Sequence, residues 1–393
     1  MNFPRKAFVC LLTAALLSAV NPAYAIDPST ATKVFTRIAT ASALRNPSVA
    51  VIDASTGELI YQSNGDSQRK PASVMKILSA TATLKYLDPA KRYSTRVFST
   101  NESGTVVLQG DLDPWYSLKV KEGKKMHRTS VPTLASHIQS AAGADSKKLT
   151  VKYSGLYSKD IANLAKYFKS KKIKVTWQKV AKSEGTSIGV EEKYLSTSPT
   201  IQEITHWFLT WSDNVLAERL ARQSAKAAGY PFDDYGVSDL FKKILTDMEI
   251  DPSALNIHDA SGLSKQNKIT AKLMAQLLFK IHKEPAFAQL ISGLPVSGVS
   301  GTLSKRYLDS APEAVGLVKA KTGTLNGTVS MAGYVESGDR EYVFVVLADR
   351  IAGGTRAANK ARETLDSYLG QIAKPLSVQA TIQPVMTSGS QTP

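Results

Sequence analysis

The strand-like segments of this chain sit at its two ends and its helical segments lie between them. That order restricts the fold more than any other feature. Residues 48–63, SVAVIDASTGELIYQS, read as two strands around the turn Ser55-Thr56-Gly57. Three more strand patterns follow late, at Val315–Ala320, Val329–Val335 and Tyr342–Leu347. Helical patterns fall at Ser73–Leu87, Ile201–Ala228, Asp239–Met248 and Thr270–His282, with a last one at Arg356–Ile372. In the first of these, Val74, Ile77, Leu78, Thr81 and Leu84 repeat at the helical period, which buries one stripe. Hairpin-like connections at each end favour one five-stranded antiparallel sheet flanked by helices, an α+β fold.

Composition divides the chain further. Arg5 and Lys6, the apolar run Ala7–Val20 and Ala23-Tyr24-Ala25 have the layout of a cleaved export signal over residues 1–25. The apolar run is short for a membrane span, and polar sequence follows it. The single cysteine, Cys10, lies inside that segment. A mature chain from Ile26 therefore has no disulfide and must rely on its core. A short strand, Val106–Gln109, precedes the turn-rich break Gly110–Pro114. From Trp115 to Leu195 there are 17 Lys and Arg against 6 Asp and Glu, so +11 of the formal net charge of +16 sits there. Helical pieces (Val131–Ala142, Ile161–Lys172) alternate in it with strands (Lys148–Tyr153, Ile173–Gln178), as in a small α/β insertion. The expected organisation is a main domain of residues 26–114 and 196–374, a basic inserted subdomain of 115–195, and a disordered tail of 375–393 without apolar periodicity. A basic surface on an exported protein suits anionic wall polymers or lipid headgroups. Nothing in it interleaves aromatics with basic residues as nucleic-acid binders do.

Chemistry enters through three short motifs. Ser73 and Lys76 are three apart, which on a helix puts hydroxyl and amine on one face. Ser67 and Lys70 share the spacing, but Pro71 pushes Lys70 away from helical dihedrals. A serine is a poor nucleophile until a base takes its proton, and a lysine can do so only when neutral. Burial or a second cation would provide that. Ser212-Asp213-Asn214 offers a hydroxyl and a carboxamide, and Lys321-Thr322-Gly323-Thr324 offers a second lysine at the end of a strand. On that strand Lys321 and Gly323 face one way and Thr322 and Thr324 the other. Gly323, lacking a side chain, suggests a strand edge that a substrate backbone can approach closely. Ser-x-x-Lys, Ser-Asp-Asn and Lys-Thr-Gly together are the signature of penicillin-binding proteins and class A β-lactamases.

With Lys70–Ser73, the turn Gly110–Pro114, Asp259–Ser264, Leu294–Gly298, Gly301–Leu303 and Lys319–Gly333 beside these motifs, the sequence resembles a class C low-molecular-mass penicillin-binding protein, a D-alanyl-D-alanine carboxypeptidase/endopeptidase of cell-wall metabolism. The resemblance covers residues 45–114 and 200–350. It implies the transpeptidase fold shared with serine β-lactamases, no cofactor and no metal. Peptidoglycan stem peptides are the implied substrates, β-lactams the implied covalent inhibitors, and the periplasm or extracytoplasmic envelope the implied location. By resemblance Ser73 attacks the carbonyl between two D-alanines, Lys76 takes its proton, and Ser212 relays a proton to the leaving nitrogen. Asn214 binds the substrate amide, Lys321 supports the field that keeps Lys76 neutral, and Thr322 and Thr324 bind the terminal carboxylate. The amides of Ser73 and Thr324 form the oxyanion hole. Three departures stand out. Only 139 positions separate Ser73 from Ser212, which leaves room for a reduced insertion, and Ala260 and Lys265 replace a usual glycine and arginine.

Two other readings share these residues. A β-lactamase needs a carboxylate to activate the deacylating water; Glu249 precedes Leu255-Asn256, at a spacing too wide for the compact E-x-x-L-N arrangement. A non-catalytic wall-binding module would show a broken motif, and none is broken. The five histidines form no H-x-x-x-H pair, and Gly298-Val299-Ser300-Gly301 falls one residue short of a nucleophile elbow.

Overall fold

The computed structural model describes residues 26–375. The expected export leader and the tail beyond residue 375 lie outside them. The chain opens with a helix, Pro28–Thr40, capped by Asp27, whose carboxylate accepts the Ser29 and Thr30 N–H groups. Strands β1 (Ser48–Asp53) and β2 (Leu59–Ser63) follow, and β3 (Arg92–Ser99), β4 (Thr105–Gly110), β5 (Lys148–Ser154), β6 (Lys174–Lys179) and β7 (Glu191–Thr200) come next. The last three are β8 (Val318–Leu325), β9 (Thr328–Ser337) and β10 (Arg340–Ala348).

These strands make two five-stranded sheets. The first runs β2-β1-β10-β9-β8 and is antiparallel throughout, joining the two chain ends as the sequence pattern requires. Ser48 pairs with Leu347 and Asp53 with Tyr342, which puts β1 second from the sheet edge, against the central strand β10. Both faces are covered, so the inner strands are apolar on both sides. Ala50, Ile52, Val343, Val345 and Leu347 enter the core under the helices between the strand groups. Val49, Val51, Phe344 and Val346 enter the core under Pro28–Thr40 and the last helix, Thr355–Ile372. This period-two division is the one that a buried strand imposes.

The second sheet runs β6-β5-β4-β3-β7. The β4/β5 and β5/β6 pairs are parallel; the helices Val120–Lys125 and Val131–Ala142 connect the first and Ser158–Ser170 the second. That is the α/β character expected of the basic insertion. Its core is small: Val97, Val106, Leu108, Leu134, Ile138, Val151, Leu164 and Phe168. The expected boundary at residue 115 cuts through this sheet, because β3 and β4 pair with each other and with β7 and β5. Net charge changes at 115, but charge is a property of the surface and does not report which strands pair. The two lobes meet at a buried ion pair, Arg219 Nη2 to Asp160 Oδ1 at 2.8 Å. It links the helix Asn214–Ala227 to the second lobe.

Candidate active site

Ser73 lies in a 3-10 turn, Ala72–Met75, continued by the α-helix Lys76–Tyr86. Ala72 enters it at φ +48°, a left-handed conformation that costs an L-residue roughly 1 kcal/mol or more. Two glycines hold it from opposite sides. A Cβ on Gly262 would stand 1.8 Å from the Ala72 carbonyl oxygen. A Cβ on Gly323 would stand 2.8 Å from the Pro71 oxygen and 3.1 Å from the Ser73 nitrogen. The sequence pattern suggested that Gly323 leaves space for substrate, but what occupies that space is the turn that carries Ser73. The missing side chain lets β8 close against the Ser73 amide. Arg69 Nη1 and the Lys70 N–H both donate to Asp349, anchoring the approach to this turn. Ser67 and Lys70 lie in that non-helical approach, without the shared helical face that a Ser-x-x-Lys pair needs.

Ser73 is half-buried and Lys76 fully buried. The Lys76 Nζ lies 2.9 Å from Ser73 Oγ, 2.7 Å from Asn214 Oδ1 and 2.7 Å from the Ser261 carbonyl oxygen. Two of these partners can only accept, whereas the serine hydroxyl can also donate. A neutral amine has two N–H donors and one lone pair, so it fits this set with the lone pair facing the Ser73 proton. Burial lowers the Lys76 pKa from 10.5 to about 8, against the opposing pull of Glu218, Asp213 and Asp259. Lys321 is also fully buried, with Nζ 3.0 Å from the Thr322 oxygen. Burial, and then the Lys76 charge, hold Lys321 well below the ordinary lysine value. Both lysines are thus lowered, with burial the main cause at each.

Ser212-Asp213-Asn214 is a break between two helices that the sequence pattern ran together as Ile201–Ala228. The helix Ile201–Trp211 starts on a Thr200/Glu203 capping box and ends at Ser212, which takes φ +61°. Asp213 then caps the next helix, accepting the Leu216 N–H. Its first residue, Asn214, reaches Lys76, while Ser212 stands at the break with its hydroxyl half-exposed. On β8, Thr322 Oγ1 lies 2.7 Å from Thr302 Oγ1, and Thr324 Oγ1 accepts from Arg362 Nη2 at 3.0 Å. Lys321 and Gly323 are buried while Thr322 is half-exposed and Thr324 exposed, the expected alternation.

The sequence reading named Asp259 only within a block and gave it no role, and it missed Glu218. Asp259 folds the loop behind Lys76, its Oδ1 accepting the Gly262 N–H at 2.6 Å, the Leu263 N–H and an Asn267 N–H. That fold aims the Ser261 carbonyl at Lys76. Glu218 Oε1 accepts the Ser261 N–H at 2.8 Å, and burial raises its pKa. Its only signal was position: it lies four residues after Asn214, hence on the same helix face. Glu249 sits at the surface, bonded to Lys280 at 2.8 Å with its side chain 84% exposed. Among the described residues no His, Cys, Asp and Glu cluster could hold a metal, and no helix is long and apolar enough to cross a membrane.

The model of the D-Ala-D-Ala carboxypeptidase 3 (S13) family matches residues 31–131 and 140–372. The chain belongs to that family. It is 30% identical over 369 residues to carboxypeptidase DacB of Mycolicibacterium smegmatis, covering 81% of this chain and 80% of the relative. Among solved structures, penicillin-binding protein 4 (dacB) from Haemophilus influenzae superposes with a TM-score of 0.64 at 16% identity, covering 88% of this chain and all of that one. A penicillin G-acylated predatory endopeptidase from Bdellovibrio bacteriovorus superposes at 0.56 with 19% identity, covering 86% and 95%. The S13 assignment bears out the resemblance to class C penicillin-binding proteins, and these structural likenesses bear out the expected fold. S13 membership also makes the chain a serine-type D-Ala-D-Ala carboxypeptidase, a hydrolase.

Proposed function

We propose that Ser73 is the acylated serine of this carboxypeptidase and Lys76 its base. The Lys76 environment, one hydroxyl and two carbonyl acceptors around a buried amine, is the observation that carries the reading. Ser73 Oγ attacks the carbonyl between two terminal D-alanines while its proton passes to Lys76. The C–N bond breaks, Ser212 passes a proton to the departing nitrogen, and water then hydrolyses the ester. The Ser73 and Thr324 amides receive the oxyanion, an interaction whose removal typically costs about 3 to 4 kcal/mol. Asn214 has a second task, since its carbonyl oxygen is committed to Lys76 and its NH2 remains to meet the substrate amide. The packing of Gly323 against the Ser73 turn supports this layout, because it fixes the strand edge at the nucleophile.

The substrates in this reading are peptidoglycan stem peptides, and the enzyme works outside the cytoplasm, in the periplasm or envelope. The basic second lobe is its contact with anionic wall polymers or lipid headgroups. β-Lactams acylate Ser73 as mimics of the dipeptide. Intact mass measured over time after adding benzylpenicillin, with peptide mapping of the adduct, tests the chemistry. A long-lived adduct on Ser73 is expected. A transient adduct with rapid penicillin loss would make the chain a β-lactamase, and no adduct, or one on Ser67, would end the proposal.

A further inference from the structure

A cleft of about 990 Å³ opens on the side of β8 that carries Thr322 and Thr324. Its other wall is the last helix, with Asn359 and Arg362, and Thr302 stands across from Thr322. Ser73 and Lys76 do not line it, whereas Thr322 and Thr324, to which the reading above gives the terminal carboxylate, do. The cations in this wall differ in their partners. Arg306 is neutralised by Asp366, with Nε 3.0 Å from Oδ2 and Nη2 2.5 Å from Oδ1. Arg362 donates to Thr324 Oγ1 at 3.0 Å and to Asn359 Oδ1 at 2.8 Å, both neutral oxygens. It makes no salt bridge among the described residues. A guanidinium has five N–H donors, so three remain. Partial burial and the neighbouring Arg306 charge both act against the cation, which makes the site one that an incoming anion would relieve.

We propose that Arg362 is the cation that receives the free carboxylate at the leaving end of the substrate, sharing it with the Thr322 and Thr324 hydroxyls. The inference rests on the carboxypeptidase reading above and adds a specificity determinant on the last helix, 38 residues beyond Thr324. Its chemistry is selective. A guanidinium binds a carboxylate through charge-assisted bonds that a neutral carboxamide does not match. The enzyme then distinguishes a free C-terminal acid from its amide mainly through this one side chain.

The test compares kcat/KM for diacetyl-L-Lys-D-Ala-D-Ala and for its C-terminal amide. Arg362→Gln is expected to lower the acid value about 10- to 100-fold, the range of one charge-assisted contact, and to leave the amide value within about threefold. Arg362→Lys should recover part of the acid preference, and Lys360→Gln, an exposed change in the same cleft, should keep it. Equal losses on acid and amide, or no loss on either, would overturn the proposal. So would a Lys360→Gln effect as large as that of Arg362→Gln, which would mean a diffuse field rather than a contact. Arg362→Lys serves in place of Arg362→Gln if the latter does not fold, with equal acid and amide losses again the refuting result. Failure of the carboxypeptidase reading itself looks different: the unmodified enzyme would turn over neither peptide.

Discussion

The acid–base state of Lys76 can be tested by its effect on acylation. With a pKa of about 8, Lys76 is neutral in roughly a tenth of molecules at pH 7 and in about one in a hundred at pH 6. Only those molecules can take the Ser73 proton. The second-order rate of acylation by a fluorescent penicillin should therefore rise about tenfold per pH unit below 7 and level off above about 8.5. Lowering the pKa from 10.5 to about 8 raises the neutral fraction at pH 7 by roughly 300-fold, a gain that the weaker basicity of the amine partly offsets. Stopped-flow fluorescence with rapid-quench mass measurement separates acylation from spontaneous hydrolysis of the antibiotic at high pH. Lys76→Arg should lose about 100-fold or more at every pH, because a guanidinium does not deprotonate. A midpoint near 10 would show that burial leaves Lys76 unshifted. A flat profile between about pH 5 and 9 would show that Lys76 is not the base.

Three further outcomes follow from described contacts. Gly323→Ala would push a Cβ to 2.8 Å from the Pro71 oxygen, so strain of about 1 to 3 kcal/mol should appear as a lower Tm together with slower acylation of Ser73. Normal acylation in a folded variant would contradict the role given to that contact. Arg219→Met leaves Asp160 buried without its partner and should cost about 3 to 5 kcal/mol in urea unfolding, whereas Arg219→Met with Asp160→Leu should recover much of it. If the single and double variants are equally destabilised, the pair is not what joins the lobes. Asp113 is raised to about 7 by burial, so between about pH 4 and 7 the folded protein keeps a proton that the unfolded chain has lost. Stability therefore falls as pH rises through that window. Asp113→Asn, which keeps the acceptor for the Trp115 N–H, should gain in Tm over the wild type across it and hold a constant advantage above pH 7. An advantage that does not vary with pH would refute the shift.

The central sheet was legible because its strands carry their own evidence: apolar runs bounded by turns at residues 48–63 and 315–347. The Ser73–Lys76 contact was legible because Pro71 separates that pair from Ser67 and Lys70. What the sequence concealed was mostly a matter of neighbours distant along the chain. β3 has a clear alternation, with Tyr93, Thr95 and Val97 inward, but only its pairing with β4 and β7 places it in the second lobe. Glu218 resembles a solvent-facing helix carboxylate paired with Arg222 until the Ser261 loop covers it. Arg362 belongs to no motif, and its meaning comes from Thr324, which lies on a different element.

The pairing of β1 with β10 also sets the order in which activity can arise. Ser48–Asp53 is synthesised about 300 residues before its partner, Tyr342–Leu347. Until that partner exists, β1 has only the short β2 beside it, and a two-stranded ribbon is marginal in water. β8 and its Lys321 also come late, so no truncated chain ending before about residue 345 can present both the Ser73 turn and the finished sheet. Contacts spanning about 300 residues make for slow closure. Until β1 meets β10 the sheet is unfinished, and hydrolytic capacity arises in one step when the two strand groups close on each other.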